Sequence, residues 1–131
     1  MTLVTVMVVD DSEADHFICT HTLKKYNPDI KIIAAYDGQE ALEILQSADE
    51  HPQVIFLDIN MPRMNGHEFL EKYSEIYGDE NGSVVVMLTS SDQQNDKDKS
   101  MAHQAVVDYF TKPLSVDAVK TLCEENKNIC E

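Results

Sequence analysis

The sequence lacks three features that would each point to a particular class of protein. No apolar run approaches the ~20 residues that cross a bilayer, and the first residues carry no Lys or Arg, which argues against a signal peptide. Basic residues are few: 10 against 24 acidic ones, a net charge of −14 that repels nucleic acid and suits cations or basic protein surfaces. The three cysteines have no C-x-x-C spacing, which favours free thiols. These absences predict a cytoplasmic protein with neither nucleic-acid nor membrane partners.

Apolar runs and helical patterns alternate along a chain whose 131 residues fit one domain, predicted to cover residues 1–131 without an output domain. The predicted strands are 4–9, 30–35, 54–57, 84–88 and 106–110. A helix is expected after each strand, and the fourth of these, 92–104, is polar and weakly periodic. This alternation predicts an α/β fold: a parallel sheet between two helical layers, with right-handed crossovers.

Two expectations concern which side chains are buried. In the first predicted helix, Phe17, Ile18 and Leu23 give an apolar side that should face the sheet. All five histidines are expected at the surface, because their spacing is scattered and no helical bundle surrounds them.

Polar side chains follow the predicted strands at their carboxyl ends, where ligands bind in open α/β sheets. They are three carboxylates, a hydroxyl and an ammonium group: Asp10, Asp11, Asp58, Thr89 and Lys112. Crowded carboxylates repel one another unless a cation joins them, and a few hard oxygen ligands select Mg²⁺. An aspartate can attack phosphorus to form an aspartyl-phosphate, while a metal and a lysine neutralise the transferring group. The set therefore predicts phosphoryl transfer to a carboxylate.

Four sequence blocks resemble the receiver domain of two-component response regulators. They are D-D at 10–11, F-L-D-I-N-M-P-R-M-N-G at 56–66, T-S at 89–90 and Y-F-T-K-P at 109–113. The resemblance covers about residues 4–126. It implies a three-layer, doubly wound, flavodoxin-like (βα)₅ fold with strand order 2-1-3-4-5.

The resemblance also implies a role for each matching residue at the metal site. Asp58 would be the phosphoacceptor and a metal ligand. Asp11 would bind Mg²⁺ directly, and Asp10 mainly through water. The backbone carbonyl of Asn60 would be a further ligand.

Further roles concern the phosphoryl group and the response to it. Thr89 would hydrogen-bond the phosphoryl group, and Lys112 would form an ion pair with it. The Lys112–Pro113 peptide bond would be cis. Tyr109 would be the switch aromatic, moving inward together with Thr89.

The function implied by the resemblance is phosphorelay signalling. A sensor histidine kinase or a phosphotransfer protein would donate the phosphoryl group, and the protein would catalyse only its own phosphorylation and dephosphorylation. Phosphorylation would switch a surface made by the fourth predicted helix, the fifth strand and the fifth helix, which an unknown downstream protein would bind. The protein would be a monomer or a weak dimer. An alternative is a phosphoryl shuttle within a multistep phosphorelay.

Two other classes of protein share parts of this pattern. A haloacid-dehalogenase-type phosphatase also uses an aspartyl nucleophile, but it needs D-x-D after the first strand and a cap domain. A flavodoxin-like FMN binder needs a neutral phosphate loop at that place, whereas the loop at residues 10–13 here is acidic.

Overall fold

The computed structural model describes residues 4–47, 51–58, 66–77, 83–89 and 106–125. Its strands are β1 (Thr5–Val9), β2 (Lys31–Ala35), β3 (Val54–Leu57), β4 (Val84–Thr89) and β5 (Val106–Thr111). Its helices are α1 (Glu13–Tyr26), α2 (Gly38–Ser47), α3 (Gly66–Tyr77) and α4 (Val116–Glu125). All five predicted strands are confirmed, with ends that differ by one residue at most. The fourth predicted helix lies outside the described residues, so α4 is the helix predicted fifth.

The five strands form one parallel sheet in the order β2-β1-β3-β4-β5. β1 lies between β2 and β3, and its Val6 is opposite Ile32 on one side and Val54 on the other. The pairing of β4 with β5 is irregular between Val85 and Val86. The order is the one that the resemblance implies, and it places the ends of β1 and β3 side by side.

Alternate residues of the strands pack into two separate cores, one on each face of the sheet. Met7 and Val9 belong to the core that also contains residues of α2 and α3. Val6 and Val8 belong to the core that also contains residues of α1 and α4. A sheet covered on both faces explains why the strands are nearly continuous apolar runs. The three-layer α/β class predicted from the sequence is therefore confirmed.

The buried side of α1 differs from the predicted one. Phe17 is 74% exposed and Ile18 is 41% exposed, and only Leu23 of the three predicted residues is buried. The inward stripe consists of His16, Cys19 and Leu23, which have the i, i+3, i+7 spacing of one helix face. Two of these are not strongly apolar, so hydrophobicity alone selected the wrong face.

Short side-chain caps begin the helices that follow β1 and β5. Ser12 caps α1, where its hydroxyl accepts a hydrogen bond from the Asp15 backbone N–H at 3.3 Å. Ser115 caps α4 in the same way, accepting from the Ala118 N–H at 3.1 Å. These caps satisfy backbone donors that a helix leaves unpaired, and they fix where each helix starts.

Within the described ranges, no helix is long and apolar enough to cross a membrane. Cys19 and Cys123 are both buried and free, in line with the expected free thiols.

Candidate functional site

The carboxyl ends of β1 and β3 bring two buried aspartates together. The Asp10 N–H donates to the Ala35 carbonyl at 3.0 Å, and the Asp58 N–H donates to the Val9 carbonyl at 2.9 Å. These bonds extend the sheet ladder by one residue beyond each strand, which fixes the backbone below both carboxylates. Asp10 and Asp58 are 2% and 7% exposed.

Asp11 completes a group of three carboxylates. Asp10, Asp11 and Asp58 each offer an oxygen, and these oxygens lie within 4.8 Å of one another. Asp11 is exposed whereas the other two are buried, so the group opens to solvent on one side. Such a cluster of hard oxygen donors can hold a metal ion.

Lys112, which directly follows β5, supplies the positive charge beside this group. Its Nζ lies 2.7 Å from Asp10 Oδ2, 2.7 Å from Asp15 Oδ2 and 3.7 Å from Asp58 Oδ2. The Lys112 side chain is 15% exposed. Burial disfavours its charged form, but the hydrogen bonds that the ammonium donates to Asp10 and Asp15 and the charge of Asp58 outweigh that effect. The pKa of Lys112 is therefore raised above its usual value, and the ammonium is the stable form.

The Lys112–Pro113 peptide bond is cis, the form that the resemblance implies.

His16 ties the end of β1 to the end of β2. Its Nε2 lies 2.8 Å from the Asp10 carbonyl oxygen and 3.1 Å from the Ala35 carbonyl oxygen. Both partners are acceptors, so Nε2 carries the proton. The ring packs on Tyr36 with a centroid separation of 4.5 Å. His16 therefore helps to hold the backbone of Asp10 in place.

The expectation that all histidines lie at the surface was wrong for two of them. His16 is buried because its donor has backbone partners at two strand ends, and His67 is buried in the first turn of α3. His51 is half-buried and His21 is exposed. His103 lies outside the described residues.

Cys19 lies on the inward face of α1, next to this charged group. Burial raises the pKa of its thiol to about 12, with the carboxylates of Asp10 and Asp15 acting in the same direction and Lys112 partly opposing them. The thiol is therefore protonated at neutral pH and is a poor nucleophile.

The remaining predicted residues are placed less fully. Thr89 is the last residue of β4 and lies opposite Thr111 in the sheet register. Tyr109 is half-buried on β5 and packs against the core that contains α2 and α3. Asn60 and the fourth predicted helix lie outside the described residues.

Comparison with known proteins decides the family. The family model described as the response regulator receiver domain matches residues 6–124. The chain belongs to the response regulator receiver family. This membership favours the receiver interpretation over the phosphatase and the flavin-binding alternatives.

Relatives and solved structures agree with the family assignment. This receiver is 38% identical to Protein PilG of Pseudomonas aeruginosa over 84% of the chain and 77% of that protein. It is 29% identical to the sensor histidine kinase CheAY of Helicobacter pylori over 92% of the chain, but it spans only 15% of that kinase. A crystal structure of a two-component response regulator from Cytophaga hutchinsonii superimposes with a TM-score of 0.87 at 29% identity, covering 98% of this chain and 99% of the other.

The structure thus brings together Asp10, Asp11, Asp58 and Lys112, all of which were predicted from the sequence. Two neighbours of this group were not predicted: Asp15 was not singled out, and His16 was expected at the surface. Asp15 stands three residues after the helix cap Ser12, and this spacing does not indicate its contact with Lys112. No signal in a single sequence identifies the backbone partners of His16.

Proposed function

We propose that this receiver accepts a phosphoryl group on Asp58 in a reaction that needs Mg²⁺. The observation that carries the proposal is the placement of Asp58: its buried carboxylate lies within the three-carboxylate group and 3.7 Å from the ammonium of Lys112. Attack by a carboxylate on phosphorus needs positive charge next to the transferring phosphoryl group, because that group carries several negative charges.

The residues present fit a magnesium ion. Asp10, Asp11 and Asp58 provide carboxylate oxygens and no nitrogen or sulfur ligand, which is the donor set that Mg²⁺ takes. In this proposal Asp11, Asp58 and the Asn60 carbonyl would hold the ion directly, and Asp10 mainly through water. The ion would supply charge neutralisation for the phosphoryl oxygens.

The chain's own residues would perform the transfer. A carboxylate oxygen of Asp58 attacks phosphorus, forming an oxygen–phosphorus bond as the bond from phosphorus to the donor's imidazole nitrogen breaks; that nitrogen leaves with its electron pair. Lys112 offers N–H donors to the phosphoryl oxygens, and Thr89 offers its hydroxyl. The backbone hydrogen bonds below Asp58 hold the nucleophile in place, so orientation provides much of the rate.

The donor would be a phosphohistidine on a sensor kinase or a phosphotransfer protein. In this reaction the receiver acts once on its own Asp58 and then catalyses loss of the group, so it is a signalling protein rather than an enzyme with a separate substrate. We place it in the cytoplasm as one receiver domain, monomeric or weakly dimeric, that acts through protein contact.

Intact-mass measurement tests the proposal. Incubation with acetyl phosphate and Mg²⁺ should add the mass of one phosphoryl group, and a chelator should prevent this. Asp58→Asn should take up none, whereas Asp29→Asn, which changes an exposed aspartate near the start of β2, should label normally. Undiminished labelling of Asp58→Asn would refute the assignment.

We further propose that phosphorylation switches the face made by residues 92–104, β5 and α4. Thr89 and Tyr109 lie on adjacent strands, since Met87 of β4 is opposite Tyr109, so motion of one can reach the other. Hydrogen exchange with and without beryllofluoride, a phosphoryl mimic, should differ most within residues 92–110. Changes confined to α2 would show that the output surface lies elsewhere.

A further inference from the structure

Asp15 lies in the first turn of α1, where an acidic residue would usually help to cap the helix, but its carboxylate does not do so here. Ser12 and Asp15 have the spacing of a capping box, in which the acidic residue accepts from the backbone N–H of the cap. In this structure the Ser12 N–H donates instead to Asp10 Oδ1 at 2.9 Å. The carboxylate of Asp15 instead accepts a hydrogen bond from Lys112, which lies 97 residues away in the chain.

Lys112 divides its donors unequally among the carboxylates around it. An ammonium group has three N–H donors, and its Nζ makes two contacts of 2.7 Å, to Asp10 and to Asp15, but lies 3.7 Å from Asp58. The separation from Asp58 is beyond hydrogen-bond range. Asp15, which lies on α1, therefore contacts Lys112 as closely as Asp10 does at the end of β1.

The charges around Lys112 make this contact consequential. Three carboxylates, those of Asp10, Asp15 and Asp58, lie within 4 Å of one ammonium group, and Asp11 lies beside two of them. A cation at the strand ends would satisfy Asp10, Asp11 and Asp58, but Asp15 is not part of that metal-binding group. Asp15 would then be the carboxylate that continues to compete with a phosphoryl group for Lys112.

We propose that Asp15 is a positioning residue that holds the ammonium of Lys112 away from Asp58 and thereby weakens the hold of this receiver on the phosphoryl group. The inference rests on the proposed phosphorylation of Asp58 for its functional consequence. Its structural part, the placement of Lys112, stands independently of that function. Asp15 acts only through Lys112 and touches neither the phosphoryl group nor the metal.

Two variants and a matched control separate this role from a general effect of charge on the helix. Asp15→Ala removes the carboxylate, and Asp15→Glu keeps it. Glu13→Ala is the control, since Glu13 is an exposed acidic residue in the same first turn. All three retain Ser12, whose hydroxyl accepts from the backbone of residue 15, so the cap of α1 is preserved.

Crystal structures without ligand test the placement. In Asp15→Ala, Lys112 Nζ should move within hydrogen-bond distance of Asp58, closing the 3.7 Å gap seen here. In Asp15→Glu and Glu13→Ala the lysine should stay on Asp10. An unmoved lysine in Asp15→Ala would overturn the inference, whether or not Asp58 accepts phosphate.

Titration with beryllofluoride at saturating Mg²⁺ tests the consequence. Asp15→Ala should bind roughly threefold to tenfold more tightly, the size of a partly exposed charged hydrogen bond, and Asp15→Glu should stay near the wild-type affinity. In a Lys112→Ala background the same Asp15→Ala change should have no effect, because the residue acts through the lysine. Equal affinity of wild type and Asp15→Ala overturns the inference. Absence of beryllofluoride binding by the wild type would count against the proposed function instead, and the crystal structures would still decide the position of Lys112.

Discussion

Among single residues, Lys112 is the counter-charge that allows several carboxylates to share the end of the sheet. Asp10 is almost fully buried and Asp58 nearly so, and both lie close to the lysine. Removing one partner of a buried ion pair leaves an uncompensated charge, which is far more costly than losing an exposed pair. The stability of the metal-free protein should therefore depend on this lysine.

Replacement of Lys112 by alanine should lower the free energy of unfolding by about 2 kcal/mol in a metal-free buffer, because its carboxylate partners would repel one another unopposed. Lys72→Ala is the matched control: its pair with Glu75 is exposed, with atoms 3.6 Å apart, and should contribute less than about 0.5 kcal/mol. Urea denaturation of both variants measures the difference. Equal losses in the two variants would show that Lys112 has no special structural role.

The thiol of Cys19 should make the folded protein less stable at alkaline pH. Its ordinary pKa is 9.0, and burial raises it to about 12 in the folded state, so between these values the unfolded chain has lost a proton that the folded chain keeps. The folded state therefore loses stability as pH rises above 9, by at most ~1.4 kcal/mol per pH unit. The raised pKa of Lys112 likewise lowers the stability of the folded state as pH rises, but at higher pH.

Chemical denaturation between pH 8 and 10.5 checks this prediction. The wild type should lose stability more steeply above pH 9 than Cys19→Ala, which has no thiol to titrate. Parallel curves for the two proteins would contradict it.

At the scale of elements, α1 shows why a sequence predicts the existence of a helix better than its buried side. A helix after the first strand was predicted from the sequence, and α1 is that helix. Its inward face was not, because His16 is buried by hydrogen bonds to two strand ends while Phe17 is left exposed. Hydrogen-bond partners on distant strands decide which side of this helix is buried, and the hydrophobicity of its residues carries no information about those partners. The strands were easier to predict, since burial on both faces leaves a continuous apolar run.

Substitution of His16 should lower the stability of the protein more than substitution of its neighbour Phe17, although hydrophobicity suggests the reverse. His16→Phe keeps the aromatic contact with Tyr36 but removes the donor, and it should cost about 1–2 kcal/mol because buried carbonyls lose a hydrogen bond. Phe17→Ser should change stability by less than about 0.5 kcal/mol, since Phe17 is mostly exposed. Thermal or urea unfolding measures both. A larger loss for Phe17→Ser than for His16→Phe would contradict the observed orientation of the helix.

At the scale of the whole molecule, the sheet order explains how residues far apart in sequence meet. Because all strands are parallel, their carboxyl ends lie at one edge, and the pairing of β1 with β3 places Asp10 beside Asp58. Lys112 reaches them from the end of β5. The carboxylates and the lysine could be predicted from the sequence because each directly follows a strand. Asp15 could not, because its contact with Lys112 depends on how α1 packs rather than on where a strand ends.

Asp58, and no other carboxylate of the site, is proposed to carry the phosphoryl group. Borohydride reduces an aspartyl-phosphate to homoserine, so peptide mapping after phosphorylation with acetyl phosphate and Mg²⁺ identifies the residue. Homoserine is expected at position 58 alone, with none in a sample treated in the same way without acetyl phosphate. Homoserine at position 10 or 11, with position 58 unchanged, would contradict it.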